Sequence, residues 1–236
     1  HFVFAASPYS NAAPLVECLE TVNPGVRVLF DHPARLPEIL KNGKADVALI
    51  PVAEYFRNPA FALIEGLGVA ADGVVRSVLL KCNVPVLRVK TVMKDPASAT
   101  SNALAGLVLK RLYRRDVVML EPGEGDSADA AVVIGDRALC SAPAPAGDID
   151  LAGAWKELTG LPFVFALWAY LRDNPAAAEF PAIAHAAYRA GVLSLDAIAA
   201  RFAQKMDCSK EFIHDYLVRC VRYEIGASER EGMERF

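Results

Sequence analysis

Apolar and polar positions alternate in blocks along the first 51 residues. Phe2-Val-Phe-Ala-Ala6 is a continuous apolar run stopped by Ser7-Pro8 and reads as a buried strand. Residues 14–21 are predicted helical, with Pro14 near the first turn, where a missing N–H costs nothing. Residues 26–30 form a second strand, helped by the β-branched Val26 and Val28. Residues 34–42 are predicted helical, with Gly43 as the residue that ends the helix. Asp46-Val-Ala-Leu-Ile-Pro51 is a third buried strand, ended by its proline. Strands that are apolar throughout, in the order β-α-β-α-β, indicate a parallel sheet covered on both faces.

The pattern then changes. Gly73-Val-Val-Arg-Ser-Val-Leu-Leu80 reads as a long extended run with a polar pair, Arg76 and Ser77, in its middle. A second α/β unit follows, with a helix over 98–112 and strands at 117–120 and 129–135. After a Pro/Ala/Gly-rich loop at 141–147, Leu161-Pro-Phe-Val-Phe-Ala-Leu-Trp168 is again extended and apolar. Beyond Asn174 the chain is predicted helical, with a last helix over 209–223 and a polar, frayed end at 226–236. Two extended segments around a second α/β unit predict two lobes joined by two crossover strands. The chain would leave the first lobe near 81–88 and return near 165–170. The first lobe would hold residues 1–86 plus 166–236 and the second 87–165, with a ligand cleft between them.

Composition narrows the functional classes. Lys and Arg number 25 against 28 Asp and Glu, a net charge of -3, so the basic excess of a nucleic-acid binder is missing. The apolar runs are too short to span a bilayer. The five cysteines have no CxxC spacing, which argues against a disulfide framework or structural zinc and for a reducing compartment. The sequence lacks a P-loop, a Gly-x-Gly-x-x-Gly turn and a Gly-x-Ser-x-Gly elbow. Its histidines have no metal-ligand spacing.

The candidate chemistry lies at strand and helix ends. Ser10 and Asn11 follow the first strand, where parallel α/β sheets bind ligands, and precede a helix start that favours anions. Asn11 either faces a ligand or caps that helix. On the extended run, Arg76 and Ser77 would face opposite ways, one into the cleft. A buried Ser77 hydroxyl needs a partner, either backbone or ligand. Ser98, Thr100 and Ser101 open the helix over 98–112 and either bind an anion or cap the helix. Asp136, at another strand end, either faces the cleft or caps a turn.

Several motifs together resemble one family. They are Asn11-Ala-Ala-Pro-Leu15, Asp46-Val-Ala-Leu-Ile-Pro-Val-Ala-Glu-Tyr55, Gly73-x-Val-x-Ser-Val78, Ser98-Ala-Thr-Ser101, Ile134-Gly-Asp-x-Ala138, Asp150-Leu151 with Trp155, and Thr159-Gly-Leu-Pro-Phe-Val-Phe-Ala-Leu-Trp168. In order and spacing the set is similar to the chorismate dehydratases of the futalosine route to menaquinone. The resemblance implies a type II periplasmic-binding-protein-like fold, a cytoplasmic enzyme and no metal or organic cofactor. It implies loss of water from chorismate to give 3-[(1-carboxyvinyl)oxy]benzoate, with Asn11 and Ser77 as catalytic groups. Ser10, Arg76, Ser98, Thr100, Ser101 and Asp136 are the expected substrate contacts. Two places depart from the family: Tyr9-Ser10-Asn11 stands where Tyr-Leu-Asn is usual, and 69–73 lacks a common serine.

Three other readings compete. One is a carboxylate-binding protein of the same fold that does no chemistry. Another is the sister enzyme that cleaves cyclic dehypoxanthine futalosine, disfavoured because 87–165 holds no histidine. The third is a transcription-factor effector domain, for which no helix-turn-helix is present.

Overall fold

A computed structural model describes residues 1–124 and 127–236. The chain opens with β1 (Phe2–Ala6), α1 (Ala13–Val16), α2 (Leu19–Val22), β2 (Val26–Phe30), α3 (Leu36–Lys41), β3 (Val47–Pro51), α4 (Val52–Arg57) and β4 (Phe61–Ala71). Then come β5 (Val78–Cys82), β6 (Thr91–Met93), α5 (Ala99–Arg111), β7 (Val118–Leu120), β8 (Ala130–Ile134), α6 (Gly135–Leu139), β9 (Asp148–Asp150) and α7 (Leu151–Thr159). It closes with β10 (Phe163–Leu171), α8 (Phe180–Leu193), α9 (Leu195–Met206), α10 (Lys210–Asp215), β11 (Arg222–Glu224) and α11 (Ala227–Arg235).

Two sheets result, each wrapped by helices into a lobe. The first has the order β11-β4-β10-β3-β1-β2, the second β7-β6-β8-β5-β9. β1 pairs in parallel with both β2 and β3, as their continuous apolar character predicts. The predicted helix over 14–21 is divided into α1 and α2 by a break at Glu17 and Cys18. Gly43 has φ 65°, the left-handed backbone expected of a helix-ending glycine.

The far half of the first sheet is antiparallel. β10 lies between β3 and β4 and runs against both. β4 is the longest strand, yet Gly66 and Gly68 interrupt its apolar run. Both have backbone reasons: Gly66 has φ 81°, and a Cβ on Gly68 would lie 2.6 Å from the Ala166 carbonyl oxygen. β11 replaces the end of the helix predicted over 209–223.

The crossings differ from expectation. β5 belongs wholly to the second sheet and β10 to the first. The chain therefore changes lobe between Ala71 and Val78, ahead of the expected 81–88 and before the expected boundary at residue 86. It returns between Thr159 and Phe163, ahead of 165–170. Neither crossing is a strand. Arg76 has φ 64°, which is incompatible with an extended run, so the expected alternation of Arg76 and Ser77 does not apply. Gly160, with φ 75°, ends α7 and turns the chain back.

One carboxylate holds the outgoing crossing. Asp150 accepts from the Val75 N–H at 3.0 Å and the Arg76 N–H at 2.6 Å, and caps α7 by accepting from the Gly153 N–H at 3.0 Å. Burial raises its pKa, opposed by these backbone bonds. At the end of the chain, α11 is ordered where fraying was expected. Glu229 accepts from the Gly226 N–H and from Arg222, both at 3.0 Å. Phe236 packs edge-on against Phe163 and Trp155, with centroids 5.0 and 6.1 Å away. Trp155 belongs to α7 of the second lobe and Phe163 opens β10 of the first, and both share one apolar cluster, so the tail is anchored where the lobes join.

Asp150→Ala strands the backbone donors of the crossing and of α7. It should cost about 2–4 kcal/mol of stability, read by urea unfolding, far more than an exposed Asp→Ala change.

Candidate functional site

The cleft sits where parallel strands of both sheets end. From the first lobe come Ser7, Tyr9 and Asn11 after β1, and Leu49 and Pro51 of β3. Ala97, Ser98 and Ser101 follow β6, while Ile134 ends β8 and Gly135 follows it. Val69, Val78, Phe165 and Ala166 form an apolar wall at the crossings. The space left in the cleft is about 60 Å³, below the roughly 300 Å³ and more of small-molecule sites, so the two lobes stand close together here. A larger depression of about 400 Å³ adjoins Tyr9, but it lies on the first lobe alone, and its Glu17 and Arg201 pair with each other.

Asn11 lies within a 3-10 turn, Ser10–Ala12, whose cap is Tyr9, and α1 is capped from Ala12; neither start has a side-chain cap bond. The capping alternative for Asn11 is thus not realised, and the residue lines the cleft. Facing it, Ser98 caps α5: its Oγ accepts from the Ser101 N–H at 3.0 Å and donates to Ser101 Oγ at 2.9 Å. The first-turn N–H groups of α5 and the Ser101 hydroxyl make a donor-rich end on the cleft.

Other expected contacts are engaged elsewhere. Thr100 Oγ1 accepts from the Ala53 N–H at 3.1 Å, joining α5 to the start of α4 across the lobes. Ser10 is fully buried; its N–H and Oγ both donate to Asp136 Oδ1, at 3.0 and 2.5 Å. These two residues therefore meet each other. Arg76 is exposed and pairs with Asp215 at 3.1 Å, outside the residues that line the cleft. Ser77 is 1% exposed and sits beside the lining residue Val78. Its partner is neither backbone nor ligand: Tyr216 Oη donates to Ser77 Oγ at 2.8 Å. Complete burial drives the Tyr216 pKa far above its ordinary value, so the phenol stays a donor.

Tyr216 lies 139 residues from Ser77, and no local signal in the sequence links them. Asp95 was also missed. It is buried, accepts from the Ala97 and Ile134 N–H groups, and pairs with Arg137 at 2.6 Å, tying the ends of β6 and β8 together. Burial raises the Tyr9 pKa, and Asp95 adds to the shift while Arg137 opposes it. Pro96 beside Asp95 is a local turn signal, but nothing local signals a carboxylate hub.

Comparisons with known proteins bear on the family and the fold. Residues 3–236 match the family model described as menaquinone biosynthesis. The chain belongs to the menaquinone-biosynthesis family. A chorismate dehydratase of Thermus thermophilus is 30% identical, covering 100% of this chain and 93% of the relative. One from Campylobacter jejuni is 31% identical over 86% of this chain and 79% of the relative. In fold, the chain is similar to the alkanesulfonate-binding protein of Xanthomonas axonopodis pv. citri, with a TM-score of 0.69 at 15% identity, over 99% of this chain and 90% of that one. The periplasmic-binding-protein-like architecture expected from the sequence is therefore the architecture of this family member. Among the described residues, no helix is long and apolar enough to cross a membrane.

Gly135 carries a steric prediction. Its φ is 67°, and an added Cβ would come within 3.2 Å of three ring carbons of Tyr9. Gly135→Ala should cost about 1–2 kcal/mol from its backbone alone and push Tyr9 off the opposite lobe. The checks are thermal melting and ligand affinity, both expected to fall.

Proposed function

We propose that this protein is a chorismate dehydratase, a hydro-lyase that converts chorismate to 3-[(1-carboxyvinyl)oxy]benzoate and water within menaquinone biosynthesis in the cytoplasm. The observation that carries the reading is that Asn11 faces the Ser98–Ser101 helix start across one cleft, in a chain whose relatives bear that name. Aromatisation drives the reaction, so the protein's task is to orient a dianion and to help a proton and a hydroxide leave.

The roles follow from hydrogen-bonding capacity. The α5 start holds a carboxylate through N–H groups and the Ser101 hydroxyl, whose proton is free because it accepts from Ser98, since the net charge of -3 supplies no attractive overall field. Asn11 donates its amide N–H to negative charge that develops as the proton departs. Ser77 accepts from Tyr216, which leaves its own proton free to donate to the departing hydroxyl. A carboxylate of the substrate itself serves as base, an arrangement that orientation makes effective. No histidine is among the residues lining the cleft, which disfavours the sister-enzyme reading.

The test is incubation with chorismate and mass spectrometry for a product lighter by one water. Enzyme-dependent appearance of that product is expected. Binding without product would instead favour a carboxylate-binding protein of the same fold. Asn11→Ala and Ser77→Ala should each lower kcat by about 10²-fold. Tyr216→Phe keeps the ring and removes only the donor, so about a 10-fold drop is expected. Folded variants that turn over at the parent rate would sink these assignments.

A further inference from the structure

We propose that Asp136 is a positioning residue that couples closure of the cleft to the placement of Asn11, an inference that rests on the role given to Asn11 above. Asp136 belongs to the second lobe and Ser10 to the first. A single carboxylate oxygen, Asp136 Oδ1, accepts both the backbone N–H and the hydroxyl of Ser10, at 3.0 and 2.5 Å. A charged acceptor makes both bonds strong. Next to this grip, Gly135 lies against the ring of Tyr9, where an added Cβ would come within 3.2 Å of three ring carbons. Residues 135 and 136 thus hold residues 9 and 10, and Asn11 is the next residue along.

The consequence is directional. Once the Ser10 peptide N–H is fixed, the backbone leading into Asn11 is fixed too, and so is the aim of its amide into the cleft. When the lobes separate, the N–H and O–H of Ser10 pass to water and the turn carrying Asn11 loses its outside support. The donor is therefore assembled only when the cleft is shut on its contents, which keeps the catalytic geometry away from an open, wet site. Ser10 and Asp136 do not act as substrate contacts here. Ser10 makes the cross-lobe bond with two donors, its N–H and its hydroxyl.

The experiment pairs a measurement without substrate with one that uses it. Hydrogen exchange of the Ser10 amide is followed in the parent, Asp136→Ala, Asp136→Asn and Ser10→Ala, alongside steady-state kinetics on chorismate. Asp136→Ala should speed Ser10 exchange by about 10-fold or more and lower kcat by a similar factor, with KM changed by less than about 3-fold. Asp136→Asn, which keeps an acceptor oxygen, should recover most of that loss even if the alanine variant does not fold. Ser10→Ala should fall between the two, since the N–H bond survives. Unchanged exchange in the Asp136 variants, or a loss confined to KM, would overturn the proposal. If the parent does not dehydrate chorismate, the reaction assigned above fails, and the exchange data alone decide whether Asp136 holds Ser10.

Discussion

The Asp150 carboxylate is the constraint on which the two-lobed arrangement depends. A chain that leaves one sheet for another must expose backbone donors at the point of departure, and here those donors belong to Val75 and Arg76. Asp150 takes both while it caps α7, so one side chain stops a helix of the second lobe and fixes the crossing that enters it. The left-handed backbone at Arg76 becomes tolerable because its N–H is held. Ser77, the next residue, then arrives buried beneath Tyr216 rather than on a free-running strand. The raised pKa of Asp150 measures what this arrangement costs: the carboxylate has been drawn out of water to serve the backbone.

Within that frame, the cleft inherits its chemistry from the ends of strands. β1, β3, β6 and β8 all deliver residues to it, and their neighbours supply N–H groups, hydroxyls and an amide rather than charged side chains. The nearby carboxylates are occupied: Asp95 by Arg137 and two backbone N–H groups, Asp136 by Ser10. A site of oriented neutral donors suits an anion that must enter, react and leave, because it avoids the tight grip of a buried ion pair.

What the sequence revealed follows how local each signal is. β1 and β3 were legible because both are apolar without interruption, and β2, an edge strand carrying the exposed Arg27, from its β-branched Val26 and Val28. The helix start at Ser98 was legible from its hydroxyls, and Ser98 does cap α5. β4 was not, since Gly66 and Gly68 interrupt its run for reasons visible only once β10 lies beside it. The extended reading of 73–80 failed because the determinant of the Arg76 turn, Asp150, lies about 75 residues further along. The partners of Ser10 and Ser77 are 126 and 139 residues away, so the residues could be nominated from position while their bonding could not. Polar composition suggested fraying at 226–236, yet the two apolar residues Met233 and Phe236 were enough to dock it.

The strand order of the first sheet also bears on how the chain comes off the ribosome. The second sheet uses residues 78–150, a contiguous stretch that can collapse as soon as it emerges. The first sheet has no such option. β3 and β4 are made early but do not pair with each other; their shared neighbour is β10, synthesised about 90 residues after Ala71. Through that interval β3 and β4 each present an unpaired, strongly apolar edge, the kind of surface that draws other nascent chains or a holding chaperone. Aggregation during expression should therefore be governed by how quickly β10 arrives, even though the finished fold keeps both edges covered.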